Sequence, residues 1–219
     1  MTAPAEQPET RLRPRWQALA ERIGIAHANG AALLDELMQA YAQGGRHYHN
    51  LDHIAALLDL LDRHGDSVRN RDALELAIFF HDAVYLPTRA DNEAASAVLA
   101  REHLTKVGAK HDLVGEVERL ILATRHGANI ADADSDTDLA LLLDLDLSIL
   151  AAERATYAAY AQAIRREYAV VPDIIYRPGR RRVLAEFLAR PRIYATPHLH
   201  DTWEAAARAN LEWESAALA

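Results

Sequence analysis

"ELAIFFHDAVY", residues 75–85, decides how this chain folds. Leu76, Ala77, Ile78, Phe79 and Phe80 leave almost no polar side, and a helix apolar nearly all round has to be buried among other helices. His81 and Asp82 lie inside the same run. An ionised Asp there costs several kcal/mol if it stands alone, so Asp82 must be protonated, paired with an arginine from elsewhere, or bound to a cation. Neighbouring helical residues point about 100° apart, so one ion reaches both side chains only from between them at the helix surface.

Working outward, apolar residues recur at helical spacing almost everywhere, with Gly or Pro between the periodic segments. The pattern predicts about ten helices, roughly over 11–27, 31–42, 51–64, 71–83, 91–107, 111–126, 137–150, 153–168, 179–189 and 200–217. Half of the 219 residues are hydrophobic but only 6% are aromatic, and Ala and Leu dominate, which favours packed helices over strands. No segment alternates with a period of two, and nothing repeats at a fixed interval. The expectation is a single all-α domain over residues 11–219, preceded by a disordered tail, residues 1–10, with the composition "MTAPAEQPET".

Composition also removes function classes. Without cysteine there is no disulfide, no thiolate ligand and no Cys nucleophile, so any metal takes N and O ligands. A net charge of −8 argues against a nucleic-acid polymer as partner. "LELAIFF" and "LALLL" fall far short of the roughly 20 apolar residues of a membrane span, so no membrane partner and a cytoplasmic location are expected. No GxxxxGK[ST] or GxGxxG loop is present to cradle phosphate.

Two further stretches bear on Asp82. In "RHYHNLDHI", residues 46–54, Gly44 and Gly45 break the preceding helix, Asn50 is suited to N-cap the next one and Asp52 falls in its first turn. His49 is then at the helix entrance. His53 lies at the edge of the stripe formed by Ile54, Leu57, Leu58 and Leu61 and faces inward, as a ligand would, or as a core-edge histidine bonded to a carbonyl would. His47 has no evident role. In "LALLLDLDLSIL", residues 139–150, Asp146 shares a stripe with Leu139, Leu142, Leu143 and Leu150, while Asp144 lies about 160° round the helix. The pattern favours Asp146 as the inward carboxylate and leaves Asp144 open.

His53, then the His81-Asp82 pair, then Asp146, all on helices, resembles the H…HD…D signature of the HD-domain superfamily of metal-dependent phosphohydrolases. "YHNLDH" is similar to the YHNxxH element of the cyclic-nucleotide phosphodiesterases within it. "RHYHNLDHI", "AIFFHDAVY", "DNEAASA" and "LDLDLSIL" together look like a bacterial group of HD phosphohydrolases, and the likeness runs from about residue 12 to the C-terminus. The resemblance implies an all-α helical bundle in which His53, His81, Asp82 and Asp146 bind a divalent metal. It also implies that His49 protonates the leaving oxygen, that Glu93 in "DNEAAS" orients the attacking water, and that His126 is the added ligand if a second metal is present.

Donor chemistry agrees. Two imidazoles and two carboxylates suit Mn²⁺, Fe²⁺, Ni²⁺, Zn²⁺ or Co²⁺ better than Mg²⁺ alone, and Asp82, with two oxygens, is the ligand best suited to bridge a second ion. Arg46, beside the histidines, and Arg180, in "YRPGRRRVL" at an expected helix start, are candidate phosphate clamps, although solvated surface arginines explain the latter run as well. Asp91 or Asn92 is suited to cap the helix that carries Glu93, and His126 before Gly127 suits a helix C-terminus. "DADSDTD", residues 132–138, lacks the Gly and Glu of a calcium loop and reads as an acidic, solvated cap; "PHLHD", residues 197–201, lacks a third ligand nearby.

The expected function is hydrolysis of a phosphate ester or anhydride in a small molecule, a nucleotide first of all, by metal-bound hydroxide, with one or two ions. Two rivals remain: a nucleotide-binding regulatory protein that keeps the pocket without turnover, and an α-helical scaffold whose buried carboxylates pair with arginines. Self-association as a homodimer is left open.

Overall fold

The computed structural model describes residues 7–125 and 135–218, and every regular element among them is helical. The all-α expectation holds, with ten α-helices and a short 3₁₀ helix among the described residues. They group into two compact units, residues 1–128 and 129–219.

The first unit contains α1 (Pro8–Arg22), α2 (His27–Tyr41), α3 (Leu51–His64), α4 (Arg71–Phe80), α5 (Asn92–Lys106) and α6 (His111–Ala123). α4 is its centre: each residue from Ala73 to Phe80 is buried, and α1, α3, α5 and α6 all pack on it. Trp16 of α1 meets the edge of Phe79 with ring centroids 4.9 Å apart and donates its indole N–H to the Gly30 carbonyl at 2.7 Å, tying α1, α2 and α4 together. Each large apolar side chain fully buried this way contributes about 1.5–3 kcal/mol.

The one buried charged side chain of α4 is Glu75. It accepts hydrogen bonds from Arg15 at 3.1 Å, Arg22 at 2.9 Å and Arg71 at 3.0 Å. The pairing with arginines considered above for Asp82 is therefore the fate of Glu75. Asp62 joins the same network through Arg15 and Arg71, and the Arg15 hydrogen bond holds its carboxyl below the ordinary value.

Helix ends follow local chemistry. Asn50 caps α3 as expected, accepting from the amides of Asp52 at 2.9 Å and His53 at 3.4 Å. At its other end a Cβ on Gly65 would lie 2.4 Å from the Leu61 carbonyl oxygen, so only glycine fits. Gly45, at φ +93°, turns the chain from α2 into the histidine stretch. Of the expected tail, residues 1–6 lie outside the described residues, and the rest is corrected: α1 begins at Pro8, because proline is preset for the first helical turn.

The second unit contains α7 (Thr137–Asp146), the 3₁₀ helix Leu147–Ala151, α8 (Arg154–Glu167), α9 (Asp173–Ala189) and α10 (Pro197–Ala217). α10 packs against α8, α9 and the 3₁₀ helix, and Asn210 donates to the carbonyls of Leu150 and Ala152, both at 2.8 Å. Helix boundaries here differ from the sequence reading, most of all at the end of α7 and the start of α9. α7 stops at Asp146 and tightens into the 3₁₀ turn, and α9 starts at Asp173 rather than 179, running through Pro178 with Tyr176 buried beneath it. No described helix is long and apolar enough to cross a membrane.

Candidate metal centre

The site is built where α4 ends. The last four carbonyls of a helix lack partners within it, and here each finds one. Ala77 O accepts the His81 amide at 2.9 Å, Ile78 O lies 2.9 Å from His81 Nδ1, Phe79 O accepts the Tyr41 hydroxyl at 3.1 Å, and Phe80 O accepts the Ala83 amide at 2.9 Å. The helix therefore ends at Phe80, with His81 as its C-cap and Asp82 in the turn beyond. This corrects the expected helix to residue 83. Apolar periodicity runs on through Val84, whereas the carbonyls at the stop are satisfied by the turn itself and by one side chain distant in sequence, Tyr41.

Leaving the helix lets His81 and Asp82 converge instead of diverging. His81 Nε2 lies 3.2 Å from Asp82 Oδ2 and 3.3 Å from His53 Nε2, which α3 brings in from its first turn. The ligand atoms of His53, His81 and Asp82 all fall within 4.8 Å of one another. His81 Nδ1 faces the Ile78 carbonyl, which can only accept, so the proton is assigned to Nδ1 and the Nε2 lone pair points at His53. Two nitrogens bound to one tetrahedral ion at about 2.0–2.1 Å stand about 3.3 Å apart, so the spacing fits a shared cation. The negative end of the α4 dipole favours a cation in the same place.

The turn that carries the pair is fastened from both sides. Arg46 donates to the carbonyls of Asp82 at 2.7 Å and Ala83 at 3.0 Å, and to that of His49 at 3.1 Å. Its guanidinium lies over the rings of Tyr41 and Tyr85, 5.1 and 5.5 Å from their centroids. From α5, Ser96 bonds both the amide and the carbonyl of Val84, at 3.0 and 3.2 Å. Asn92 accepts the Leu86 amide at 3.0 Å and donates to the carbonyls of Leu86 at 2.9 Å and Arg89 at 3.3 Å. Glu93 follows at the start of α5, half-buried. His49 is half-buried too, stacked on Tyr85 with centroids 4.1 Å apart and 6.1 Å from the His53 ring. His47 is exposed.

Several expected roles change. Arg46 was a candidate phosphate clamp, but its two terminal nitrogens bind three carbonyls, which makes it a clasp on the protein's own backbone. Arg180 was another; it sits in the middle of α9, where it binds Glu214 with two hydrogen bonds of 2.7 and 3.0 Å, and Glu214 also accepts the Tyr157 hydroxyl at 2.5 Å. Asp91 does not cap α5, because its carboxylate is turned to Arg89, and Asn92 holds the loop rather than capping. Asp144 is buried in the second unit and accepts the amides of Ala195 at 2.7 Å and Thr196 at 2.6 Å; burial pushes its carboxyl up to about 6. Asp146, half-buried, ends α7 in that unit. His126 lies outside the described residues.

Tyr41, Tyr85, Asn92 and Ser96 have roles that the sequence reading did not assign. Only the spacing of Asn92 and Ser96, four residues apart on one helical face, offered a hint. If Arg46 acts as a clasp, Arg46→Ala lowers divalent-metal affinity by about 10–100-fold, the loss typical of removing a group that orients ligands. Arg46→Lys restores little of it, because a single ammonium cannot reproduce the guanidinium fork; calorimetric metal titration of both variants tests this. No family model, curated protein or solved structure matches this chain.

Proposed function

We propose that this chain is a metal-dependent phosphohydrolase of the HD-domain kind, acting on a small phosphorylated molecule and on nucleotides first of all. The observation that carries the reading is the His53, His81 and Asp82 cluster, with His81 Nδ1 turned to a carbonyl and a nitrogen spacing suited to one ion. A divalent ion held there acidifies water for attack on phosphorus and offsets charge on the phosphoryl oxygens.

The protein's own groups supply the rest. His49, held against Tyr85, is the group we assign to protonate the leaving oxygen. Glu93, close along the chain to the fastened loop, is assigned to orient the water. With Arg46 and Arg180 engaged by protein partners, positive charge for the phosphate would come mainly from a divalent ion held by His53, His81 and Asp82.

Two measurements bear on the whole reading. Mass spectrometry of the purified protein is expected to find a bound divalent metal, and added Mn²⁺ is expected to support phosphate release from one or more nucleotides. Metal at about 100 times its dissociation constant stabilises by about 2.7 kcal/mol, so chelation lowers the melting temperature by roughly 5–10 °C in a chain of this size. A scaffold without a metal shows no chelator shift, and a regulatory protein binds metal and nucleotide without releasing phosphate.

A further inference from the structure

The most exposed large aliphatic side chains lie together where α8 turns into α9. Val170 is 81% exposed, Ile174 84% and Ile175 62%. Soluble proteins commonly expose single apolar residues, but a cluster marks a contact surface. This one is held rigidly. Arg165 donates to the carbonyls of Tyr168 at 2.7 Å and Val171 at 3.1 Å and to Asp173 at 2.9 Å, with its guanidinium over the Tyr176 ring. A turn tied this firmly presents Val170 outward as a fixed feature.

Charge is the second, independent observation. Residues 165–192 hold eight arginines against three acidic residues, in a chain whose net charge is −8. At about 100° per residue, Ile174, Ile175, Pro178, Arg181 and Arg182 fall on one face of α9, opposite the buried Tyr176, Leu184 and Phe187. Arg166 and Arg181 are exposed and form no ion pair among the described residues, and Arg182 is only loosely engaged, 3.7 Å from Glu186. The outer face of α9 is thus aliphatic in its first turn and cationic in its third.

We infer that this face docks on an anionic phospholipid surface, with Val170, Ile174 and Ile175 entering the headgroup boundary and Arg181 and Arg182 meeting lipid phosphates. Aliphatic side chains beside cations are what such a surface recognises. Three side chains are small against the roughly 800 Å² per partner of a stable protein interface, and pairing this face with its own copy sets arginines against arginines. The expectation of no membrane partner came from the lack of a spanning segment, which a surface contact does not need.

Sedimentation of the full chain with vesicles tests the inference. Binding is expected to vesicles of phosphatidylcholine with about 30 mol% phosphatidylglycerol and not to phosphatidylcholine alone, and to weaken as salt rises towards about 0.5 M. Ile174→Ser with Ile175→Ser, and separately Arg181→Glu with Arg182→Glu, should each lower partitioning about tenfold with the melting temperature unchanged. Because these side chains are exposed, the variants should fold, and the charge pair is a second route if the aliphatic pair does not. No binding to anionic vesicles, equal binding by the variants, or a wild-type dimer that the Ile pair splits would each overturn it.

Discussion

Asp82→Asn is expected to fold like the wild type and to lose divalent metal, with affinity falling about 100-fold or more and phosphate release falling with it. The amide keeps the carboxylate's shape in the turn after α4, so the backbone bonds from Arg46 and Ser96 that hold this turn remain. What goes is the negative charge 3.2 Å from His81 Nε2, in a place where the helix dipole alone is too weak to retain a divalent ion. Removing a group that only orients ligands costs about 10–100-fold, and a direct ligand costs more. His81→Ala should be worse on both counts, since it deletes the Nε2 donor and leaves the Ile78 carbonyl without its ring N–H. Elemental analysis after dialysis, titration with Mn²⁺ and an initial-rate assay measure the two variants together. Wild-type metal content in both, or unchanged turnover, would sink the metal reading.

Much of the fold was legible because helices declare themselves through periodicity, and this chain has few aromatic or β-branched runs to confuse the pattern. The buried character of α4, the Asn50 cap and the inward His53 all follow from neighbours within four residues. The errors share another cause. The end of α4 at Phe80, the capture of Arg46 by three carbonyls and the capture of Arg180 by Glu214 depend on partners up to 38 residues away in sequence, between Tyr41 and Phe79 in the longest case at this site. An arginine beside histidines reads as a phosphate clamp until its hydrogen bonds are seen. The burial of Glu75 has the same cause in part: two of its three arginines, Arg15 and Arg22, come from α1, 60 and 53 residues away, while Arg71 is its neighbour one turn back on α4.

Glu75 also carries the largest expected effect on stability. Glu75→Ala should cost about 3 kcal/mol, the lower end of the range for breaking a buried ion pair, because its arginines are partly solvated and recover some hydration. That corresponds to a fall of roughly 6–12 °C in melting temperature for a chain of this length. Glu75→Gln should be milder but still destabilising, since the amide accepts one guanidinium and turns its own donors towards the others. Arg22→Ala, at the most exposed arginine of the network, should change stability by less than about 1 kcal/mol. Combining Glu75→Ala with Arg22→Ala should cost less than the sum of the two, because the second change removes a cation that the first left unpaired. The readouts also separate the two ends of α4. Well below its melting temperature, Glu75→Ala should keep wild-type metal content, as its network touches none of the groups that hold the His81 and Asp82 turn. Metal lost in step with stability would mean instead that α4 transmits strain from one end to the other and that the site depends on the whole helix.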